Sequence, residues 1–423
     1  MTIAQGIKKT LVAKRQSALG TAATNNGTAK TFRRVTSTID LAKETYKSNE
    51  ILPSQQHRDM RHGVRSVAGT ITGELSPGTY QGFMESVLRA DAITSALVAT
   101  ASPTGIVATT PNIATAPYEG VFTRTGGSSF LTSGIKVGMV VRWSAGSGTA
   151  YTANAGRNLL VTAVTSSVIT GIMLDDAAVS TAGAGAMGTA IATAVSNSIT
   201  AAITSHTKDY WTIEHNYTDI TQVEYFTDCV IGQMNIKCPA TGMVTVDFPV
   251  VGLDMSTGTT AHFATTPAAA STTSILASVN GAVYVAGNAV GTITSIDISV
   301  NGNVASMGGV VGTNTAPDVQ RGVLEVTGSM SVFFQDATMR DYFINETEVS
   351  IVVAFTTSST STADFLTIVM PRVKVGGAGK ADGQKGLVMT MPFTALENTT
   401  STDHYLSTIA INDTYFQTSA LNY

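Results

Sequence analysis

Residues 64–91, VRSVAGTITGELSPGTYQGFMESVLRAD, change their hydrophobic period in the middle. The first half alternates between apolar and polar residues, and its apolar face carries Val67, Ile71 and Leu75. This alternation predicts a strand. Gly69 and Gly73 lie on the same face, and glycine inside a strand indicates a bend or a close approach of another segment.

The second half of the stretch predicts a helix. Ser76 is a residue type that favours the N-cap, and Pro77 suits the first helical position. One apolar stripe at helical spacing follows, made of Tyr80, Phe83, Met84, Val87 and Leu88. We therefore expect a helix that starts near Ser76 and packs across a sheet.

A similar order of residues occurs again at 321–355. Gly322-Val323, Val326 and Gly328 repeat the spacing of Gly63-Val64, Val67 and Gly69, and a segment with Tyr342 and Phe343 follows. Two related strand–helix units are one interpretation, and chance similarity of a short match is the other.

The composition and the pattern along the chain favour a mainly β structural protein. Charged residues make up only 13% of the 423 residues, which suits a subunit whose sides are covered by neighbours. Alternating runs separated by turn residues fill 210–255 and the segments that follow, as in an antiparallel meander. Composition divides the rest into a basic arm and loop (1–60), one discontinuous domain (61–117 and 208–423), a small inserted β domain (118–176) and an Ala/Thr/Ser-rich linker (177–207).

The charge is distributed unevenly. Residues 1–65 hold 12 Lys and Arg against 4 Asp and Glu, a formal charge of +8, whereas the remaining residues hold 13 against 25, a charge of −12. The arm either binds nucleic acid or docks on the acidic body of a neighbouring copy. We favour docking because few aromatic residues interleave with the basic ones. The candidate contacts between copies are Lys8, Lys9, Lys14, Arg15, Arg33 and Arg34.

The motifs of common enzymes do not occur. The stretch VGGAGKADG (375–383) contains Gly379-Lys380, as a phosphate loop does. A phosphate loop would need glycine at position 374, which is Lys, and Ser or Thr at position 381, which is Ala, so a hairpin tip is expected instead. The six histidines form no metal motif. Cys229 and Cys238 have no metal or redox spacing and are interpreted as plain strand residues in a reducing compartment. We expect no catalytic site, cofactor or metal.

Four acidic residues lie close together in the second unit: Asp336, Asp341, Glu346 and Glu348. A solvated edge is the first interpretation, and an acid-lined channel is the alternative. The N-terminal residues contain no apolar run of secretory length, and no segment approaches the length of a membrane span, so neither is predicted.

The order of these pieces resembles the major tail tube proteins of long, non-contractile bacteriophage tails. The similar stretches are FRRVTSTIDLAKETYKSNEI (32–51), VRSVAGTITGELS (64–76), YWTIEHNYTDI (210–220), RGVLEVTGSMSVFFQD (321–336) and MPFTALEN (391–398). The resemblance implies a β-sandwich or barrel-type tube domain with one or two flanking helices, plus a small inserted β-barrel-like domain that decorates the outside.

The resemblance also implies a function. Six copies would form a ring, and rings would stack head to tail into a hollow tube. The partners would be further copies, a tape measure protein, other tail proteins and genomic DNA that passes without sequence-specific contacts. The protein would be assembled in the host cytoplasm and reside in the virion, without contact with a membrane. One alternative is another β-rich structural protein, either a capsid decoration protein or an adhesin; secretion signals and disulfides would favour the adhesin, and neither is found in the sequence. A further alternative is an enzyme, which would need a cluster of titrating groups in a pocket.

Overall fold

The computed structural model describes residues 3–25, 29–51, 53–90, 100–110, 117–381 and 386–416. The elements before residue 91 are β1 Lys9–Arg15, β2 Lys30–Thr31, β3 Thr36–Ser37, β4 Asp40–Lys47, β5 Met60–Glu74 and α1 Gln81–Leu88. β4 and β5 form a long antiparallel hairpin, and β4 is largely exposed on both of its faces.

The strands between residues 100 and 200 form mainly an eight-stranded antiparallel sheet in the order β14–β8–β9–β13–β12–β11–β15–β6. The elements of this part are β6 Thr100–Ala101, β7 Pro103–Thr104, β8 Ile106–Thr109, β9 Glu119–Thr123, β10 Gly126–Gly127, β11 Val140–Ser144, α2 Thr149–Asn154, β12 Leu159–Val164, β13 Val168–Met173, β14 Ala186–Gly188, β15 Ile191–Ala194 and β16 Asn197–Thr200. The segment 177–207, which composition describes as a linker, thus contains three short strands. The domain boundaries themselves stay a prediction.

The remaining elements follow from residue 211: β17 Trp211–Tyr217, β18 Gln222–Ile231, β19 Gln233–Cys238, β20 Thr245–Gly252, β21 Asp254–Gly258, β22 Gly281–Val285, β23 Asn288–Ala289, β24 Ile293–Asn301, β25 Val304–Ser306, β26 Val319–Arg321, β27 Glu325–Phe333, α3 Thr338–Ile344, β28 Val349–Thr356, β29 Phe365–Val375, β30 Gly379–Lys380, β31 Val388–Ala395 and β32 Ala410–Asp413. The prediction of a mainly β, sandwich-like fold with few helices is confirmed.

A central sheet runs in the order β4–β5–β20–β19–β24–β27–β31, with every neighbouring pair antiparallel. A second layer is formed by β2–β1–β17–β18–β21, and a third by β22–β28–β29–β32–β16. One hydrophobic core joins residues of the central sheet and of both other layers. The predicted meander of 210–255 therefore splits between two layers.

Helix α1 lies inside this core, and all eight of its residues are buried. Phe83 stacks on Phe32 at 4.3 Å between ring centroids and contacts Trp211 edge-on at 5.2 Å. Gly73 of β5 makes room for the Tyr80 ring, because a Cβ at this position would lie 1.8 Å from the Tyr80 hydroxyl oxygen. The glycine inside the strand thus permits the close helix–strand packing that the sequence indicated.

The predicted helix start at Ser76 and Pro77 is wrong, because α1 begins at Gln81. Gly78 has a φ of +71°, which no right-handed helix contains. Ser76 instead bonds the Thr79 hydroxyl at 2.6 Å within a turn, and the Gly78 N–H donates to the carboxylate of Asp413 at 2.8 Å. Tertiary contacts with the end of the chain therefore override the local helix signal.

The strand–helix order of the second unit is confirmed by β27 and α3. In contrast to α1, α3 buries only Met339. Whether the two units share an origin stays a hypothesis.

The eight-stranded sheet packs on the third layer through a shared core. Tyr284, Val352, Phe365, Val369 and Tyr405 of the larger body belong to the same buried cluster as Phe122, Trp143 and Leu160. This packing covers the outer face of the third layer.

Candidate functional site

The two faces of the central sheet differ sharply in chemistry. In β20, Val246, Phe248 and Val250 point into the core, and the residues between them point away from it. The register of each antiparallel pair places the outward residues of all six strands from β5 to β31 on one face. We call it the polar face; its polar residues are Thr70, Thr72, Glu74, Gln233, Asn235, Lys237, Thr245, Asp247, Ser295, Asp297, Ser299, Asn301, Glu325, Thr327, Ser329, Ser331, Thr390 and Thr394.

Most side chains of the polar face are short hydroxyl or amide groups, and each residue is half-buried or exposed. Neighbouring strands are connected through them: the Ser299 hydroxyl of β24 donates to the side-chain oxygen of Asn235 in β19 at 2.7 Å, and the Gln233 amide of β19 donates to the Ser299 hydroxyl at 3.4 Å. Such cross-strand bonds hold the side chains close to the sheet. The result is a low, even surface.

The polar face carries an excess of negative charge. Its acidic residues are Glu74, Asp247, Asp297 and Glu325, and its one basic residue is Lys237. The ammonium of Lys237 donates to the Asp247 carboxylate at 2.9 Å, and this bond raises the pKa of Lys237. Because the lysine is paired with one carboxylate, three carboxylates remain in excess.

The acidic residues that the sequence singled out lie elsewhere. Asp341 lies in α3, Asp336 precedes the helix and Glu346 and Glu348 follow it, and Glu348 pairs with Arg372 at 2.6 Å. This placement agrees with a solvated edge. The carboxylates of the polar face were missed because they lie one per strand, far apart in sequence. The alternation in runs such as ITSIDISVN (293–301) is the signal that assigns each of them to a face.

None of the six basic residues proposed for contacts between copies lies on the polar face. The Arg15 side chain is only 16% exposed, and its guanidinium donates to the Glu85 carboxylate at 2.7 Å and to the Gly82 carbonyl at 3.2 Å. It also stacks over the Trp211 ring at 5.3 Å. Arg15 thus fastens β1 to α1 within the chain.

Four more of these side chains also make bonds within the chain. Lys14 is buried and donates to the Thr24 carbonyl, Lys9 to that of Ser37, Arg33 to that of Thr273, and Arg34 to those of Gly6 and Lys9. Lys8 is exposed. Their role in contacts between copies stays a prediction.

The remaining predictions about chemistry concern small motifs. In the stretch 375–383, Gly379–Lys380 pairs with β31, and residues 382 and 383 lie outside the described part of the chain. Cys229 and Cys238 are strand residues, as predicted, and both are buried. Within the described ranges, no group of three or more His, Cys, Asp or Glu is arranged to hold a metal ion, and no helix is long and apolar enough to cross a membrane.

Comparison with known proteins agrees with this architecture. The family model described as "Phage tail tube protein" matches residues 6–399. No curated protein matches the chain. Because the match spans nearly all of the sequence, the chain belongs to the phage tail tube protein family and is a structural component of the virion tail.

Proposed function

We propose that six copies of the chain close into a ring, that rings stack into the tube of a long non-contractile tail, and that the polar face lines the lumen through which DNA passes. The observation that carries this proposal is the polar face itself: three carboxylates in excess on an even surface of short side chains. The other face of the same sheet is committed to the core.

Electrostatics explains why such a lining suits a DNA conduit. Proteins that bind DNA non-specifically neutralise its phosphates with Lys and Arg. A lining with excess carboxylates repels the phosphates instead, within the Debye length of about 8 Å at physiological salt. Short Ser and Thr side chains add no long groups that grip the duplex. DNA would therefore slide along this wall.

The edge of the central sheet supports closure into a ring. Among the described residues β4 pairs only with β5, and both its faces are largely exposed. An open strand edge with exposed backbone groups is a template for a strand of another chain. Pairing between copies would join the sheets into a continuous barrel and remove these edges.

The other parts of the proposal follow from this orientation. The eight-stranded sheet packs on the third layer and would form a fixed decoration on the outside of the tube. The tape measure protein would occupy the lumen before DNA does, and other tail proteins would meet the ends of the tube. Assembly would take place in the host cytoplasm. The role is structural and needs no enzymatic activity.

Size-selective labelling tests the orientation. Thr327 is exposed on the polar face, and Ser147 is exposed in the loop that connects β11 of the eight-stranded sheet to α2. Cys229 and Cys238 are buried, so a single introduced cysteine is the reactive one. In assembled tubes, Thr327→Cys should react with a small maleimide but not with one attached to a bulky polymer, whereas Ser147→Cys should react with both. Equal reaction of both variants with the bulky reagent would refute the lumen assignment.

Electron microscopy of the same preparations tests the assembly. End-on views should show hollow six-fold rings, and side views should show stacked rings. A protein that stays monomeric at high concentration and at every salt concentration would contradict the proposal.

A further inference from the structure

An uncharged loop lies at one end of the central sheet, against β5. It connects β25 to β26 and has the sequence MGGVVGTNTAP (307–317), which we call the valine loop. The loop is held in place, because the Arg65 N–H donates to the Asn314 carbonyl at 2.8 Å and Gly309 lies against Val64. Yet Val311 is fully exposed and Val310 is half exposed. A fixed loop that presents valines to solvent has the character of a contact surface.

A second apolar surface lies at the opposite end of the same sheet. Phe333, Phe343, Ile344 and Leu387 are each at least 39% exposed, and we call them the α3 patch. Phe333 and Leu387 are neighbours, because the Phe334 N–H donates to the Leu387 carbonyl at 2.9 Å. Beside them, Phe333, Phe334 and Tyr342 line a half-open cavity of about 220 Å³.

β27 fixes the separation of the two surfaces. Its N-terminal residue Glu325 pairs with Asn301, at the end where β24 leads into the valine loop. Its C-terminal residue Phe333 belongs to the α3 patch. Nine residues of strand span about 30 Å, so the valine loop and the α3 patch of one copy cannot cover each other.

Two different copies can bring a valine loop and an α3 patch together. We infer that the valine loop of one copy docks on the α3 patch of the next copy, end to end. The contact uses two different surfaces, so it repeats from copy to copy and generates a stack instead of a closed dimer. The valine loop, Phe343, Ile344 and Leu387 lie outside the strands of the central sheet, and Phe333 is the last residue of β27, so the contact leaves the middle of the polar face uncovered. The inference rests on the proposed stacking of copies and names the surfaces that carry it.

Comparison of α3 with α1 shows that α3 lacks the covering residues that α1 has. In the first strand–helix unit, α1 is covered by residues of its own chain, among them Arg15 and Phe32. In the second unit, α3 has a single buried residue, Met339. A segment from a second copy would supply the cover that the described part of this chain does not.

Disulfide trapping between two single-cysteine variants tests the contact. The full-length Val311→Cys and Phe343→Cys proteins are mixed, allowed to assemble and oxidised mildly; the buried Cys229 and Cys238 do not interfere. We expect a covalent dimer from the mixture in the assembled fraction, and none from either variant alone or from the monomer fraction. A matched control mixes Val311→Cys with Ile203→Cys, since Ile203 is also exposed but lies outside the α3 patch.

Sedimentation of the same samples separates the possible failures. Large assemblies without the Val311–Phe343 dimer, or with equal dimer in the control mixture, would overturn the docking but leave the proposed tube intact. A Val311→Cys dimer formed by that variant alone would indicate a symmetric contact and would also overturn it. Absence of any assembly of the unmodified protein would refute the proposed function and the docking together.

Discussion

The hydroxyl of Thr367 donates a hydrogen bond to the backbone carbonyl of Gly138 across 2.9 Å. Thr367 belongs to β29 of the larger body, whereas Gly138 lies just before β11 of the eight-stranded sheet. The Asn412 amide donates to the same carbonyl at 3.1 Å and to the Thr367 hydroxyl at 2.8 Å. All three lie in a shared buried layer, which makes the eight-stranded sheet a fixed part of the molecule and not a tethered appendage.

Replacement of Thr367 tests this seating. Thr367→Val keeps the shape but leaves the buried Asn412 amide and Gly138 carbonyl short of one partner, which costs about 1–3 kcal/mol. Urea denaturation should show this loss in the free energy of unfolding. Thr327→Val, on the exposed polar face, should change it by less than about 0.5 kcal/mol. Equal stability of the two variants would show that the hydrogen bonds of Thr367 do not fix the eight-stranded sheet to the larger body.

Gly138 itself gives a second prediction. It has a φ of +85°, and a Cβ at this position would lie 2.2 Å from a methyl carbon of Val369. Gly138→Ala should therefore suffer both backbone strain, about 1–2 kcal/mol, and overpacking, about 1–3 kcal/mol. Gly156→Ala is the matched control, because Gly156 has a φ of +72° with nothing within 4 Å of its Cβ position. If both variants lost the same stability, the close contact with Val369 would be unimportant.

Local sequence patterns predicted the helices and strands of this fold better than the contacts between them. The apolar stripe from Tyr80 to Leu88 marked α1, and the alternation around Val246 and Phe248 marked β20, because both patterns depend on neighbours in sequence. The start of α1 was misplaced because Gly78 is held by Asp413, 335 residues away.

The polar face could not be predicted from the sequence for the same reason. Lys237 and Asp297 face each other only because β19 pairs with β24, and no local pattern specifies that pairing. Likewise, the sequence placed Arg15 in a basic arm that docks on a neighbouring copy, and its partner Glu85 within the chain, 70 residues away, could not be predicted. Long-range pairing, not residue type, decides which charges meet.

The Arg15–Glu85 pair provides a prediction that depends on pH. The two side chains are only 16% and 4% exposed, so removal of one partner leaves a buried charge, at a cost of about 3–5 kcal/mol. Burial already raises the pKa of Glu85, which Arg15 opposes. Arg15→Met should raise that pKa further. A raised pKa means that the folded state binds the proton more tightly than the unfolded state, so stability falls as the pH rises through it.

Denaturation by urea at pH 5 and pH 8 measures this effect. Arg15→Met should be destabilised at both values and more strongly at pH 8. The double variant Arg15→Met with Glu85→Gln removes the Glu85 charge and should recover part of the stability without the extra pH dependence. It leaves the Asp209 carboxylate, which lies 3.4 Å from the Arg15 guanidinium, without that partner. If Arg15→Met unfolded like the unmodified protein at both values, the pair would not stabilise the fold.

The charge of the polar face gives the last prediction, on DNA passage. Ser329 lies directly opposite Asp297 on this face, so Ser329→Lys neutralises a carboxylate and adds a cation in every copy around the lumen. Ser147→Lys makes the same substitution in the exposed loop that follows β11 of the eight-stranded sheet. Assembled tubes are incubated with short fluorescent duplex DNA, treated with a nuclease and sedimented.

Ser329→Lys tubes should retain protected DNA at low salt and release it at high salt, because lysine–phosphate attraction is screened by ions. Ser147→Lys tubes should hold only DNA that the nuclease degrades. Protection by Ser147→Lys tubes, or degradation of the DNA on Ser329→Lys tubes, would place the polar face on the outside.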